Sequence, residues 1–175
     1  MKEFWSKRAK ELTPYVPGEQ PRERKFIKLN TNENPYPPSQ AALSAIREAA
    51  GESLRLYPDP ECTSLREALA ATFELKPNQV FVGNGSDEVL ALCFQAFFDP
   101  DRTILFPDIT YSFYPVFADL YGLSYREVPL DERFGLPLEP FLGNNGGVVI
   151  ANPNAPTGRA VSLCDIRALL EGNPD

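Results

Sequence analysis

The groups able to do chemistry stand at the ends of short apolar runs. In "FVGNGSDEVL", Gly83 and Gly85 fall between a predicted strand and a predicted helix, and Ser86, Asp87 and Glu88 follow. Backbone N–H groups that open a helix beside small residues hold phosphate through hydrogen bonds and the helix dipole. The plainer reading is a helix capped by Ser86, with two acids in its first turn. A dinucleotide site is the other reading of Gly-x-Gly, a weak one, because Glu88 occupies the place of the third glycine.

In "FPDITYSFYPVF", Tyr111 stands at a strand-to-helix junction, ahead of Phe113 and Tyr114. An aromatic ring there stacks on a flat ligand or belongs to the core. "LYPDP" sets Tyr57 on a Pro-flanked loop, where its hydroxyl reaches a phosphate or faces water. "KLNTNENPYPPS" carries Asn30, Asn32, Glu33 and Asn34, whose amides and carboxylate read first as turn builders. "VVIANPNAPTGR" ends a β-branched run in Asn152, Asn154, two prolines and Thr157-Gly158. That is either turn chemistry closing a strand or a rigid loop aiming a side chain at a ligand, beyond the carboxyl end of the sheet.

Composition narrows the chemistry. The 175 residues contain no His, which removes Ser-His-Asp and Cys-His catalysis and His-containing zinc sites, and no metal site is expected. The formal net charge of -7 argues against a nucleic-acid footprint, though not against a small anion in a locally positive site. Cys62, Cys93 and Cys164 form no C-x-x-C pair and suit a reducing compartment. The charged N-terminus "MKEFWSKRAKEL" lacks the apolar stretch of a signal peptide, and no run approaches the roughly 20 apolar residues of a membrane span. A cytoplasmic protein without membrane contact is the expectation.

The elements that must position these residues follow from periodicity. Helices are expected in "FWSKRAKELTPY", in "SQAALSAIREAAG" and, after a loop, within "LYPDPECTSLREALAATF", the last with Ser64 and Glu67 at capping-box spacing. From Pro77 strands and helices alternate: "QVFVG", "SDEVLALCFQAFF", "RTILF", "YSFYPVFADLYG", "SYREVPL", "GGVVIA" and a helix from Ser162. That alternation implies an α/β three-layer sandwich around a mostly parallel sheet. The final helix runs into Gly-Asn-Pro, the usual prelude to another strand, so the chain reads as the front part of a longer fold.

Taken in order, "LTPYVPG", "KLNTNENPYPPS", "LYPDP", "GNGSDEVL", "FPDITYSFYPVFADLYG" and "NPNAPTG" resemble the fold-type I pyridoxal-phosphate aminotransferases, most closely the histidinol-phosphate aminotransferases. The resemblance runs from Leu12 to about Leu170. It implies residues 1–30 as an N-terminal arm with part of a small domain, and residues 31–175 as the first half of the large cofactor-binding domain.

It further implies that Gly85, Ser86 and Asp87 hold the phosphate of pyridoxal 5'-phosphate and that Tyr111 stacks on its ring. Tyr57 would reach the phosphate of the neighbouring subunit in a homodimer, while Tyr15 and Asn32 would lie near the substrate. The implied reaction moves an amino group between histidinol phosphate and 2-oxoglutarate in histidine biosynthesis. Threonine-phosphate decarboxylase, another aminotransferase, or an inactive fragment or binding module on the same half-fold are the alternatives.

Two departures stand out. The family's Asn before Pro-Thr-Gly, which meets the ring hydroxyl, is replaced by Ala155, and Asn154 is assigned to the cofactor in its stead. The family's Schiff-base Lys, its ring-nitrogen Asp and its carboxylate-binding Arg have no counterpart among these residues, so no catalytic residue is assigned in this chain.

Overall fold

A computed structural model describes residues 4–12 and 27–174. The chain divides into two compact units, residues 1–15 with 83–175 and residues 16–82.

The first unit is built on strand β1 (Ile104–Pro107), whose four residues are all buried. That burial explains a run with no polar alternation, as in parallel strands covered on both faces. Strand β2 (Tyr125–Val128) pairs with it in parallel, Ile104 opposite Tyr125 and Pro107 opposite Val128. Residues 147–149 join the other edge of β1: Leu105 N–H donates to Gly147 O, Val149 N–H donates to Leu105 O, and Leu105 bridges Val148 in parallel.

Alternation along β1 sorts two cores. Ile104 and Phe106 pack with Phe94 of helix α4 (Gly85–Phe97) and with Tyr114, Phe117 and Ala118 of helix α5 (Phe113–Tyr121). Leu105 points the other way, clustering with Val128, Phe141 and Leu169 of helix α6 (Leu163–Gly172). Helices therefore cover both faces, the α/β layering that the alternation implied.

Local chemistry sets the helix ends. Ser162 caps α6 by accepting a hydrogen bond from Asp165 N–H at 3.1 Å. Gly122 ends α5 in the left-handed region at φ 70°. The short helix α1 (Lys7–Glu11), capped by Ser6, is fastened there, since Arg8 Nη1 donates to Leu120 O at 3.1 Å. A cation at a helix C-terminus also meets the negative end of its dipole.

In the second unit, helix α2 (Gln40–Ala49) is capped by Ser39, and helix α3 (Thr63–Phe73) follows a turn in which Cys62 takes φ 48°. Here the structure corrects the sequence reading. Ser64 lies inside α3, and no capping box is formed by it and Glu67; Asp59 takes that part, its two carboxylate oxygens accepting from Thr63 N–H at 2.7 Å and Glu61 N–H at 2.9 Å.

The segment "QVFV" is likewise not a strand. Val80 has extended dihedrals, but its carbonyl accepts from Arg66 Nε at 3.1 Å rather than from a neighbouring strand. Arg66 also donates to Pro77 O and pairs with Glu61, tying α3 to this segment. β propensity prepares a backbone for a ladder but cannot supply the partner.

Candidate cofactor site

The phosphate candidate is the start of α4. Gly85 has φ 79°, a left-handed conformation that favours glycine, and no heavy atom lies within 4 Å of where a Cβ would stand. The residue before it, Asn84, makes no side-chain capping bond. Helix formation leaves the first N–H groups of any helix without intrahelical partners, and here Ser86 and Asp87 carry two of them, both residues exposed. Ser86 does not cap this helix, because it already lies within its first turn. Glu88, the residue that broke the dinucleotide pattern, turns back instead: its Oε2 accepts from Asn84 N–H at 2.6 Å. A Cβ at Gly83 would stand 2.9 Å from that oxygen and from Val89 Cγ2, so both glycines serve the turn.

Tyr111 lies in the turn between β1 and α5 and is half-buried. Its ring lies 5.6 Å from that of Phe113 in near-parallel planes and 5.8 Å from that of Tyr114, edge-on. Its hydroxyl donates to Asp87 Oδ1. Two residues chosen from separate motifs thus meet across 24 positions of sequence. Tyr114 beside them is buried, and burial pushes its phenol above the usual tyrosine range, keeping it neutral.

The Asn/Pro loop comes to the same end of the sheet. The Asn152-Pro153 and Ala155-Pro156 peptide bonds are both cis. Asn154 is buried, and both donors of its amide are engaged: Nδ2 donates to Ile109 O at 2.8 Å and Thr157 Oγ1 at 3.1 Å, while Oδ1 accepts from Thr110 Oγ1 at 2.8 Å. Neither Thr110 nor Thr157 was assigned to the site from the sequence. The only hint was their position beside Tyr111 and within Pro-Thr-Gly.

Three assigned residues remain, Tyr57, Asn32 and Tyr15. Tyr57 and Asn32 belong to the other unit; Tyr57 is fully exposed, and Asn32 is exposed with φ 52°. Tyr15 lies outside the described residues. A cleft of about 430 Å³ on the first unit is lined by Pro107, Ile150, Asn154, Arg133, Arg159 and Asp165 among others, and shares only Asn154 with the residues assigned to the cofactor. Among the described residues no cluster of His, Cys, Asp or Glu is arranged to hold a metal ion, and no helix is long and apolar enough to cross a membrane.

Residues 24–173 match the family described as aminotransferase class I and II, and the chain belongs to that family. Among its relatives, the histidinol-phosphate aminotransferase of Chromohalobacter salexigens is 60% identical over 175 residues, covering 100% of this chain and 50% of that protein. The chain thus spans about half the length of the curated relatives it matches. Among solved structures, histidinol-phosphate aminotransferase from Sinorhizobium meliloti in complex with pyridoxal-5'-phosphate shares the fold, with a TM-score of 0.83 and 24% identity over 97% of this chain and 48% of that one. L-threonine-O-3-phosphate decarboxylase from Porphyromonas gingivalis also matches, with a TM-score of 0.65 and 25% identity over 78% of this chain and 42% of that one.

Proposed function

We propose that the full-length protein containing this chain is a pyridoxal 5'-phosphate enzyme that moves an amino group between histidinol phosphate and 2-oxoglutarate. The observation that carries this reading is the 60% identity, sustained over the whole chain, to a histidinol-phosphate aminotransferase. The fully exposed Tyr57 fits a second reading element, a two-fold homodimer in which this residue serves the partner's cofactor phosphate. Three free cysteines suit a cytoplasmic setting.

The residues at α4 and after β1 fit the cofactor chemically. Ser86 and Asp87 offer backbone N–H donors where the helix dipole favours an anion, and Gly85 leaves that approach open. The carboxylates that would repel a phosphate are turned to other partners, Glu88 to Asn84 N–H and Asp87 to the Tyr111 hydroxyl. Tyr111 offers a ring held by two aromatic neighbours and one hydrogen bond, so it is set before a ligand arrives. Asn32 and Tyr15 are assigned to the substrate side, with residues 1–30 proposed as an N-terminal arm and part of a small domain and residues 31–175 as the first half of the large domain. When bound, the cofactor supplies the electron sink for amino transfer. This chain's part is to hold its phosphate and fix the plane of its ring.

The test is to incubate the full-length protein with the cofactor, histidinol phosphate and 2-oxoglutarate and to measure glutamate. Saturable glutamate formation is expected. Absence of glutamate, with carbon dioxide released from threonine phosphate, would favour the decarboxylase reading.

A further inference from the structure

We infer that Asn154 is a positioning residue, a side-chain fastener between the loop that carries Tyr111 and the Asn/Pro loop, and not itself a ligand of the cofactor. The inference deepens the reading above and rests on it only for its cofactor arm. Asn154 is the one buried polar or charged residue among those described, at 8% exposure. An asparagine amide has two N–H donors. Both are spent inside the protein, one on Ile109 O at 2.8 Å and one on Thr157 Oγ1 at 3.1 Å, so donating to a ligand would leave a partly buried acceptor unpaired. Its oxygen accepts from Thr110, the residue immediately before Tyr111. The backbone of Asn154 is equally committed, its N–H donating to Arg159 O and its carbonyl accepting from Gly158 N–H, both at 2.7 Å.

The bonds form a continuous tie. Asn154, itself bonded to Thr157, holds Ile109 and Thr110, Tyr111 follows in the chain, and the Tyr111 hydroxyl reaches Asp87 in the first turn of α4. Ala155, which replaces an amide that meets the ring in the resembling family, therefore leaves a loop whose remaining amide faces inward. Asn154 sets where the Tyr111 ring stands, and through it the register between ring and phosphate cradle.

The test uses the full-length protein with Asn154→Ala, Thr110→Val and the double variant. Thr110→Val removes a single hydroxyl and keeps the fold if the alanine variant does not hold it. In the cofactor-free protein, amide hydrogen exchange should quicken at residues 109–114 and 154–159 in both single variants. Pyridoxal phosphate should bind about three- to tenfold more weakly in each, with the double variant no worse than Asn154→Ala alone, because both cut one tie. At saturation the circular dichroism of the bound cofactor, which reads how its ring is held, should fall in Thr110→Val while the melting temperature stays near that of the parent. Unchanged exchange in both loops would overturn the inference. So would weakened binding in Asn154→Ala with Thr110→Val at the parent level, the mark of a direct ligand. If the parent protein binds no pyridoxal phosphate, the proposed function fails, while the exchange measurement still decides the fastening.

Discussion

Replacing Gly85 with alanine separates the cost of a backbone conformation from the cost of a clash. No heavy atom lies within 4 Å of the added methyl position, so the penalty comes from φ 79° alone. Holding an L-residue in the left-handed region costs roughly 1–2 kcal/mol. Two outlets exist for that energy. If the turn keeps its shape, the cofactor-free protein loses stability by that amount. If the turn relaxes, the N–H groups of Ser86 and Asp87 swing away from the phosphate, and affinity falls by a factor of about 5–30.

Denaturant unfolding and a pyridoxal phosphate titration on the full-length variant, read together, should recover the 1–2 kcal/mol between them. Gly51→Ala is the control. It also has no neighbour within 4 Å, but its φ of -141° suits any residue, so it should be neutral or stabilising by about 0.4–1 kcal/mol. Gly85→Ala matching that control in both measurements would show that the left-handed backbone at residue 85 carries no such cost.

Tyr57→Phe should lower cofactor affinity by about 0.5–1.5 kcal/mol, the net worth of one hydrogen bond. Mixing it with a variant defective at Ser86 should restore part of the activity through hybrid dimers, and hybrids that form without rescue would confine Tyr57 to its own chain. The hydroxyl of Thr63, its N–H and that of Glu61 hold the Asp59 carboxyl below its ordinary value of 3.8. A depressed folded-state pKa gives stabilisation that is full above the unfolded value and lost as pH falls through the folded one. The turn before α3 should therefore loosen in acid, below about pH 3.8, and Asp59→Asn should flatten that response. Following the Thr63 amide by NMR against pH checks it, and an acid response identical in the variant would count against Asp59 as the cap.

Much of this was legible locally. The helical pattern of "SQAALSAIREAAG" and of the stretch from Ser162 marked α2 and α6, and the apolar run in "RTILF" marked the strand β1. What escaped depends on distance in sequence. Nothing near Tyr111 says that its hydroxyl meets Asp87, 24 positions earlier. Nor does the Asn/Pro loop reveal that Asn154 spends its amide on residues 44 and 45 positions upstream. The error at Ser64 and Glu67 came from a pattern with the right spacing in a place where Asp59, just upstream, already held the helix N–H. The error at Val80 came from reading propensity as pairing when Arg66 had taken the carbonyl.

In the proposed function, the first turn of α4 and the Tyr111 ring together form the seat of pyridoxal phosphate. A crystal structure of the full-length protein with that cofactor tests it most directly. The phosphate should accept hydrogen bonds from the backbone N–H groups of Ser86 and Asp87 at about 2.7–3.2 Å, with the Tyr111 ring stacked on the cofactor ring. A cofactor seated instead in the cleft lined by Arg133 and Arg159, with Tyr111 untouched, would contradict it.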